Sequence, residues 1–412
     1  MTTSAEILTG DALERLRELE SSSFDAMLTD PPYGLAFMGK RWDYDVPSVD
    51  VWREALRVLK PGAHALIACG TRTQHRMAVN VEDAGFEIRD VIAWIYGSGF
   101  PKSHDVSKAI DRAAGAERED VYADTRPNDL NTVYGKGLGV ELLERRPATP
   151  EAARWVGYGT ALKPAMELWT LVRRPLEGTV AQNALEHGVG GLNVDGTRIP
   201  IDPDDRVRDA VWTSRTSTMR PGTTEDGERS PALRSELGRW PANVTHDGSA
   251  EVLEHFPDVP SGTRNVSGPF LAHANGVPLT GFGDAGSAAR FFYCAKADAA
   301  ERDAGLRALP LVKGGAMRGE ETRPDRPTNH PWRHNPHPTV KPLALAAWLA
   351  TLLLPPARDH PRRLIVPFSG SGSELIGARL AGWDEVVGIE LDPAYADLAR
   401  ARLDHHVGNR LW

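Results

Sequence analysis

Apolar positions follow two rhythms along this chain, and the segments that carry them alternate. Phe24 to Asp30 is a short apolar run of strand length, and Ala63 to Cys69 and Phe86 to Tyr96 read the same way. Between them Val49 to Leu59 carries helical spacing, with Val51, Ala55, Leu56 and Leu59 on one face, and ends at Lys60-Pro61-Gly62. Arg72 to Ala84 is a further helix, closed by Gly85. The pattern returns near the end of the chain. Arg363 to Pro367 is a strand, Ser373 to Leu380 a helix, Glu385 to Glu390 a strand and Pro393 to Leu403 a helix. Leu343 to Leu354 is apolar all round, too short to span a bilayer, and stops at Pro355-Pro356, so it reads as a buried helix. Strands alternating with helices predict an α/β fold with a mostly parallel, doubly wound sheet.

Residues 176 to 330 break the rhythm. Turn pairs recur there (Asp195-Gly196, Asp226-Gly227, Asp247-Gly248, Asn275-Gly276), periodic runs are few, and Arg290 to Ala295 is the one short strand expected. A loop-rich insertion, or a region that orders on binding, fits this composition.

Composition narrows the class. Of 412 residues, 41% are apolar and 25% charged, a soluble globular profile. No cationic, apolar leader reads as a secretory signal, and no membrane association is expected. The two cysteines, Cys69 and Cys294, lie far apart, which argues against a disulfide framework and suits a cytoplasmic location. A net charge of −8 speaks against a protein that coats nucleic acid unspecifically. Locally the balance reverses: Arg302, Arg307, Lys313, Arg318, Arg323, Arg326, Arg333 and Lys341 face only Asp303, Glu320, Glu321 and Asp325. Such a run alone is a solvated loop. His330, His334 and His337 share the stretch, but prolines keep them off one helix face, so no metal site is expected.

Three motifs carry chemistry. Asp30-Pro31-Pro32-Tyr33 follows directly on a strand, where open α/β sheets bind ligands. An exocyclic amino group on a base is a poor nucleophile, because its lone pair is delocalised into the ring. Asp30 can accept one amino hydrogen and the Pro31 carbonyl the other, drawing the nitrogen toward tetrahedral geometry. Pro31 and Pro32 stiffen the backbone there and bring no competing N–H donors, and Tyr33 offers a face on which an extruded base can stack. The second motif, Pro367-Phe368-Ser369-Gly370-Ser371-Gly372, joins a strand to a helix, and its glycines permit close approach of a ligand to the backbone. Glu390, at the end of the next strand, is placed to bind two ribose hydroxyls. The absence of a third glycine suits a nucleoside better than a dinucleotide. His337-Pro338-Thr339-Val340-Lys341-Pro342 is the third.

Taken in this order, the motifs resemble those of the beta group of amino DNA methyltransferases, over roughly residues 1–175 and 335–405. Gly10-Asp11-Ala12 resembles the family's strand-end acid that binds the adenine of the cofactor, and Gly34 to Asp43, Gly97 to Ser103 and Thr160 to Pro164 resemble phage and actinobacterial relatives. The resemblance implies a Rossmann-like S-adenosylmethionine-dependent fold with circularly permuted motif order. It places a catalytic half at 1–175, an inserted target-recognition region at 176–330 and a cofactor half at 331–412. It implies Asp30, Pro31, Pro32 and Tyr33 as catalytic residues. Asp11, Ala12, Asp30, Thr339, Lys341, Phe368, Ser369, Gly370, Gly372, Glu390 and Leu391 would line the cofactor, with Lys341 paired to its carboxylate. Double-stranded DNA is the implied partner, a cognate restriction enzyme a candidate one, and the protein is expected as monomer or homodimer. Arg215, Arg220, Arg229, Arg234 and Arg239 offer guanidiniums to phosphates and guanine edges. Trp212, Trp240 and Trp332 can stack, although a core role suits a tryptophan better.

Asp opening the motif favours adenine N6 over cytosine N4. Val366 stands where the family usually carries an acid two residues before the Phe, and a carboxylate there would hold the cofactor's amino group. That departure favours a second reading, a DNA-binding relative with weakened catalysis, and leaves Glu374 as a candidate substitute. A methyltransferase for RNA or a small molecule is a third reading, disfavoured by the long Arg-rich insertion.

Overall fold

The computed structural model describes residues 4–35, 44–97, 99, 103–122, 143–200, 238–258, 287–295, 300–313, 332–337 and 339–408. Strands β1 (Ser4–Thr9), β2 (Phe24–Thr29), β3 (Leu59–Gly70), β4 (Glu87–Ile95), β5 (Met166–Arg173), β6 (Val244–His246), β7 (Tyr293–Cys294), β8 (Arg363–Pro367) and β9 (Glu385–Glu390) form one sheet. Their order is β1-β9-β8-β2-β3-β5-β4-β6-β7. All neighbours run parallel except β5, which is antiparallel to both β3 and β4. The helices include α1 (Ala12–Glu18), α2 (Val49–Val58), α3 (Gln74–Asp83), α4 (Val180–His187), α5 (Leu343–Leu353), α6 (Ser373–Ala381) and α7 (Pro393–Gly408).

Side chains alternate between the faces of a strand, and here both faces are covered. Leu364, Val366, Ala26, Leu28, Leu66 and Ala68 pack under Leu345, Leu349 and Trp348 of α5 and Leu375 and Ile376 of α6. Ile365, Phe24, Met27, Ala65 and Ile67 meet Leu16 of α1, Trp52 and Val58 of α2 and Met77 of α3. Double coverage explains the continuous apolar runs in β2, β3 and β8. At Gly377 of α6 an added Cβ would lie 2.5 Å from the Ala346 Cβ, so the glycine lets α5 and α6 cross in close contact. Among the described residues no helix is long and apolar enough to cross a membrane.

The expected alternation of strands and helices is present at both ends. β1, α1, β5, α4 and β6 were not expected. β5 is the consequential one, a central strand inside a stretch read without elements. The expected strand at Arg290–Ala295 is corrected: Ala288–Phe291 forms a turn of 3-10 helix, and only Tyr293–Cys294 joins the sheet. The Ser287 hydroxyl accepts the Ala289 N–H at 3.3 Å, and the Arg290 guanidinium lies 4.4 Å from the centre of the Phe291 ring. Those local contacts favour the turn.

The chain divides into two compact units, Met1–Gly97 with Met166–Trp412, and Ser98–Ala165. The smaller unit is organised around the buried carboxylate of Asp111. It accepts the Ala148 and Thr149 N–H groups at 3.0 and 3.1 Å and the Arg118 Nε at 2.6 Å. Trp155, Val156, Tyr158 and Leu162 of this unit are exposed.

Candidate active site and cofactor turn

Strand order reverses between β2 and β8. From β2 the chain continues toward β3, and from β8 toward β9 on the other side. A crevice opens at such a switch point beyond the carboxyl ends of the parallel strands. Asp30 follows β2 there, Phe368 to Gly372 follow β8, and Glu390 ends β9. The antiparallel strand β5 contributes its beginning to the same edge, since Glu167 pairs in register with Gly70 at the end of β3.

The cofactor-side turn is built from backbone. Phe368 has φ of +59°, Gly370 +49° and Gly372 +81°, left-handed values that cost a non-glycine residue about 1 kcal/mol or more. An added Cβ on Gly370 would meet the His337 Nε2 at 2.8 Å. Glu390 clamps the turn: one carboxylate oxygen accepts the Gly370 N–H at 2.7 Å, the other the Asp392 N–H at 2.9 Å. Burial raises its carboxyl above the usual range. The Ser369 hydroxyl is buried, and its oxygen meets no partner among the described residues. Phe368 packs toward Trp52, ring centres 6.5 Å apart. Leu391, beside Glu390, is 56% exposed and leaves an apolar surface bare. A turn with no side chain at Gly370 and Gly372, an acid at the adjacent strand end and an open apolar surface fit an adenosyl group.

Asp11 also has a local task. It caps α1, its carboxylate accepting the Leu13 N–H at 2.9 Å and the Glu14 N–H at 3.3 Å, while Ala12 is buried behind it. Thr339 is exposed, and its carbonyl accepts from His337 Nδ1 at 3.1 Å. Loss of hydration pushes the His337 imidazole down to about 4, so this ring is neutral at physiological pH. The His334 ring bonds the Leu309 carbonyl at 2.8 Å. His330 lies outside the described residues.

Side chains build the β2 side. The Tyr33 hydroxyl donates to Asp30 Oδ1 at 2.7 Å and also lies at hydrogen-bond distance from Glu167 Oε1. The Lys341 ammonium reaches Asp30 Oδ2 at 2.8 Å, Glu167 Oε1 at 3.0 Å and the Tyr33 hydroxyl at 3.2 Å. One phenolic proton is thus shared between two acids, and a single ammonium holds all three groups. Burial raises the Glu167 carboxyl, against the pull of Lys341. For Lys341 burial works against the charge, but Asp30 and Glu167 outweigh it and hold the ammonium above the ordinary lysine range. Burial and the two nearby carboxylates raise the Tyr33 phenol, which therefore remains a proton donor. Pro31 is buried and Pro32 half-buried.

The structure thus brings Asp30, Tyr33 and Lys341 together and adds Glu167, which sequence reasoning missed. The ammonium of Lys341 sits on Asp30 and Glu167. Cys69 is buried, and desolvation pushes its thiol up to about 11, so it supplies no thiolate nucleophile. Trp240 is 66% exposed with the Arg198 guanidinium 5.2 Å above its ring, and Arg239 is half-buried. Trp212, Arg215, Arg220, Arg229, Arg234, Arg318, Arg323 and Arg326 lie outside the described residues.

The profile of the N6/N4 DNA methylase family matches residues 24–401. The chain is 23% identical over 235 residues to the Type II methyltransferase M.HindIII of Haemophilus influenzae. That match takes in 45% of this chain and 64% of the relative, so the chain spans just under two thirds of the length of the curated relative it matches. Among solved structures, a DNA modification methylase of Thermus thermophilus complexed with S-adenosyl-L-methionine is 15% identical, with 98% of this chain and 96% of that chain covered and a TM-score of 0.40. The cytosine-N4-specific PvuII DNA methyltransferase is 12% identical, with 97% and 87% covered and a TM-score of 0.42. With its family profile matched over most of its length, the chain belongs to the N6/N4 DNA methylase family.

Proposed function

We propose that this protein transfers a methyl group from S-adenosylmethionine to the N6 of adenine in double-stranded DNA. The observation that carries this reading is the placement of Asp30 and Tyr33 across the β2/β8 crevice from the Gly370–Gly372 turn. S-adenosylmethionine supplies a methyl group on a sulfonium, which is already a good leaving group. What remains for the protein is positioning and electrostatics.

Asp30 accepts one hydrogen of the target amino group and the Pro31 carbonyl the other, leaving the nitrogen lone pair free to attack. Tyr33 presents its ring to the base taken out of the duplex. Both oxygens of Asp30 are engaged in the free protein, Oδ1 by Tyr33 and Oδ2 by Lys341, so the target amino group competes with these contacts. Lys341 and Tyr33 keep Asp30 in place until it does. Glu390, Gly370, Gly372, Phe368, Ser369 and Leu391 hold the adenosyl part, with Asp11 and Ala12 at its base. Residues 176–330 read the target sequence, between a catalytic half (1–175) and a cofactor half (331–412).

Methyl transfer from labelled S-adenosylmethionine to unmethylated genomic DNA, followed by nucleoside analysis, tests the reading. Label in N6-methyladenine is expected. Label in N4-methylcytosine keeps the mechanism and overturns the choice of base. Sequence-specific DNA binding without any transfer overturns the enzymatic reading and favours a relative with lost turnover.

A further inference from the structure

Glu374 lies in the first turn of α6, two residues beyond Gly372, and is 4% exposed. Its Oε1 is buried and meets no hydrogen-bond partner among the described residues. A carboxylate left in this condition is costly, by roughly 1–3 kcal/mol or more for a charged group. The nearby cations do not relieve it. Arg402, from α7, spends its Nη1 on the Ser371 carbonyl at 2.6 Å and on the Ser371 and Ser373 hydroxyls at 3.1 and 3.3 Å. No ion pair between Arg402 and Glu374 forms. Lys341 is committed to Asp30 and Glu167.

The position matters as much as the missing partner. Asp30, Lys341 and Arg402, from three separate stretches of the chain, all act electrostatically on Glu374, which stands in the first helical turn after Gly372. Burial and Asp30 push its carboxyl up to about 7, with Lys341 and Arg402 opposing. The start of a helix favours negative charge at this point. Val366, one strand position before Pro367, is fully buried in the apolar core beside Leu375 and can hold no polar group.

We propose that Glu374 binds the α-ammonium group of the cofactor's methionine portion. The proposal rests on the S-adenosylmethionine reading. An ammonium ion is the complement this site lacks: it satisfies the orphan oxygen and offsets the charge of Asp30. Binding then draws Glu374 into the ionised state, so affinity rises with pH through the neutral range.

The test compares S-adenosylhomocysteine with 5′-methylthioadenosine by calorimetry, on wild type, Glu374→Gln and Glu374→Asp, each checked for cooperative thermal unfolding. Both ligands carry the adenosyl group and a neutral sulfur, and only the first carries the amino acid. Expected is a loss of tenfold or more in S-adenosylhomocysteine affinity for Glu374→Gln, with 5′-methylthioadenosine within twofold of wild type. Wild-type affinity for S-adenosylhomocysteine should rise several-fold from pH 6 to pH 8, and that slope should vanish in Glu374→Gln. If Glu374→Gln fails to fold, Glu374→Asp should keep a preference for the amino-acid ligand and its pH slope. Equal losses for both ligands, or unchanged S-adenosylhomocysteine binding, overturn the proposal. Wild type binding neither ligand at any pH overturns the cofactor reading itself.

Discussion

The two sides of the crevice are made of different materials. On the β8 side, the ligand-facing parts are backbone: a left-handed turn at Phe368, Gly370 and Gly372, braced by one carboxylate 20 residues away in sequence. On the β2 side they are side chains, and the four groups in contact come from residues 30–33, 167 and 341. A backbone site is written within one strand-turn-helix-strand unit, where glycine spacing and a strand-end acid are local signals. A side-chain cluster is written only in the strand order, which brings distant segments to one edge. Tolerance to change should differ accordingly.

The largest effect is expected at Asp30. Asp30→Ala should cut methyl transfer by about 10²–10³-fold or more, the scale seen when one preorganised polar contact to the reacting group is lost. Steady-state transfer of labelled methyl to DNA reads this directly, and an activity within tenfold of wild type would remove Asp30 from the chemistry.

Lys341→Met comes next. It leaves Asp30 and Glu167 buried without their cation, at a cost of about 3–5 kcal/mol in stability. Adding Glu167→Gln should recover part of that loss, because one of the two stranded charges disappears. A double-mutant cycle by denaturant unfolding measures the coupling. Strict additivity would show that the contacts of Lys341 with Glu167 carry no energy.

On the backbone side, Gly370→Val forces a branched side chain onto a φ of +49° and into the His337 ring. Cofactor affinity should fall by more than tenfold, measured by equilibrium dialysis. Transfer at saturating cofactor should fall far less than in Asp30→Ala. Comparable losses in both would erase the division between the two sides.

The smallest effect concerns pH. Glu374 binds its proton more tightly folded than unfolded, with a carboxyl raised from 4.5 to about 7. The folded state therefore holds more protons in this window, and stability without cofactor should decline as pH rises from about 5 to about 7. Glu374→Gln should flatten that stretch of the pH–stability curve. A wild-type curve that rises there beyond what other groups explain, unchanged in the variant, would show Glu374 ionised in the free protein.

What could be read in advance follows the same division. β2, α2, β3, α3 and β4 near the start, and β8, α6, β9 and α7 near the end, announce themselves by apolar runs, helical spacing and stop signals. The turn and Glu390 are contiguous with them. Met166–Arg173 is apolar enough for a strand, but nothing local says that it enters the sheet antiparallel between β3 and β4. Glu167 stayed hidden with it, since a lone acid at a strand end is indistinguishable from a surface residue until its neighbours are known. The assignment of Lys341 followed its motif neighbour Thr339. Its contacts with the two carboxylates could not be read in advance, since they join residues 174 and 311 positions apart. Val244–His246 escaped because a three-residue strand carries too few positions to show a period, and of the strand expected over Arg290–Ala295 only Tyr293–Cys294 pairs.

The separation of binding from chemistry is tested most directly on Asp30→Asn, which keeps the shape of the side chain and removes its charge. S-adenosylmethionine affinity and the single-turnover rate of transfer to DNA would be measured on the same preparation. The expected result is affinity within threefold of wild type and a rate lowered at least a hundredfold. Affinity and rate falling together, or a rate that persists, would contradict the division of labour between the glycine turn and the Asp30 cluster.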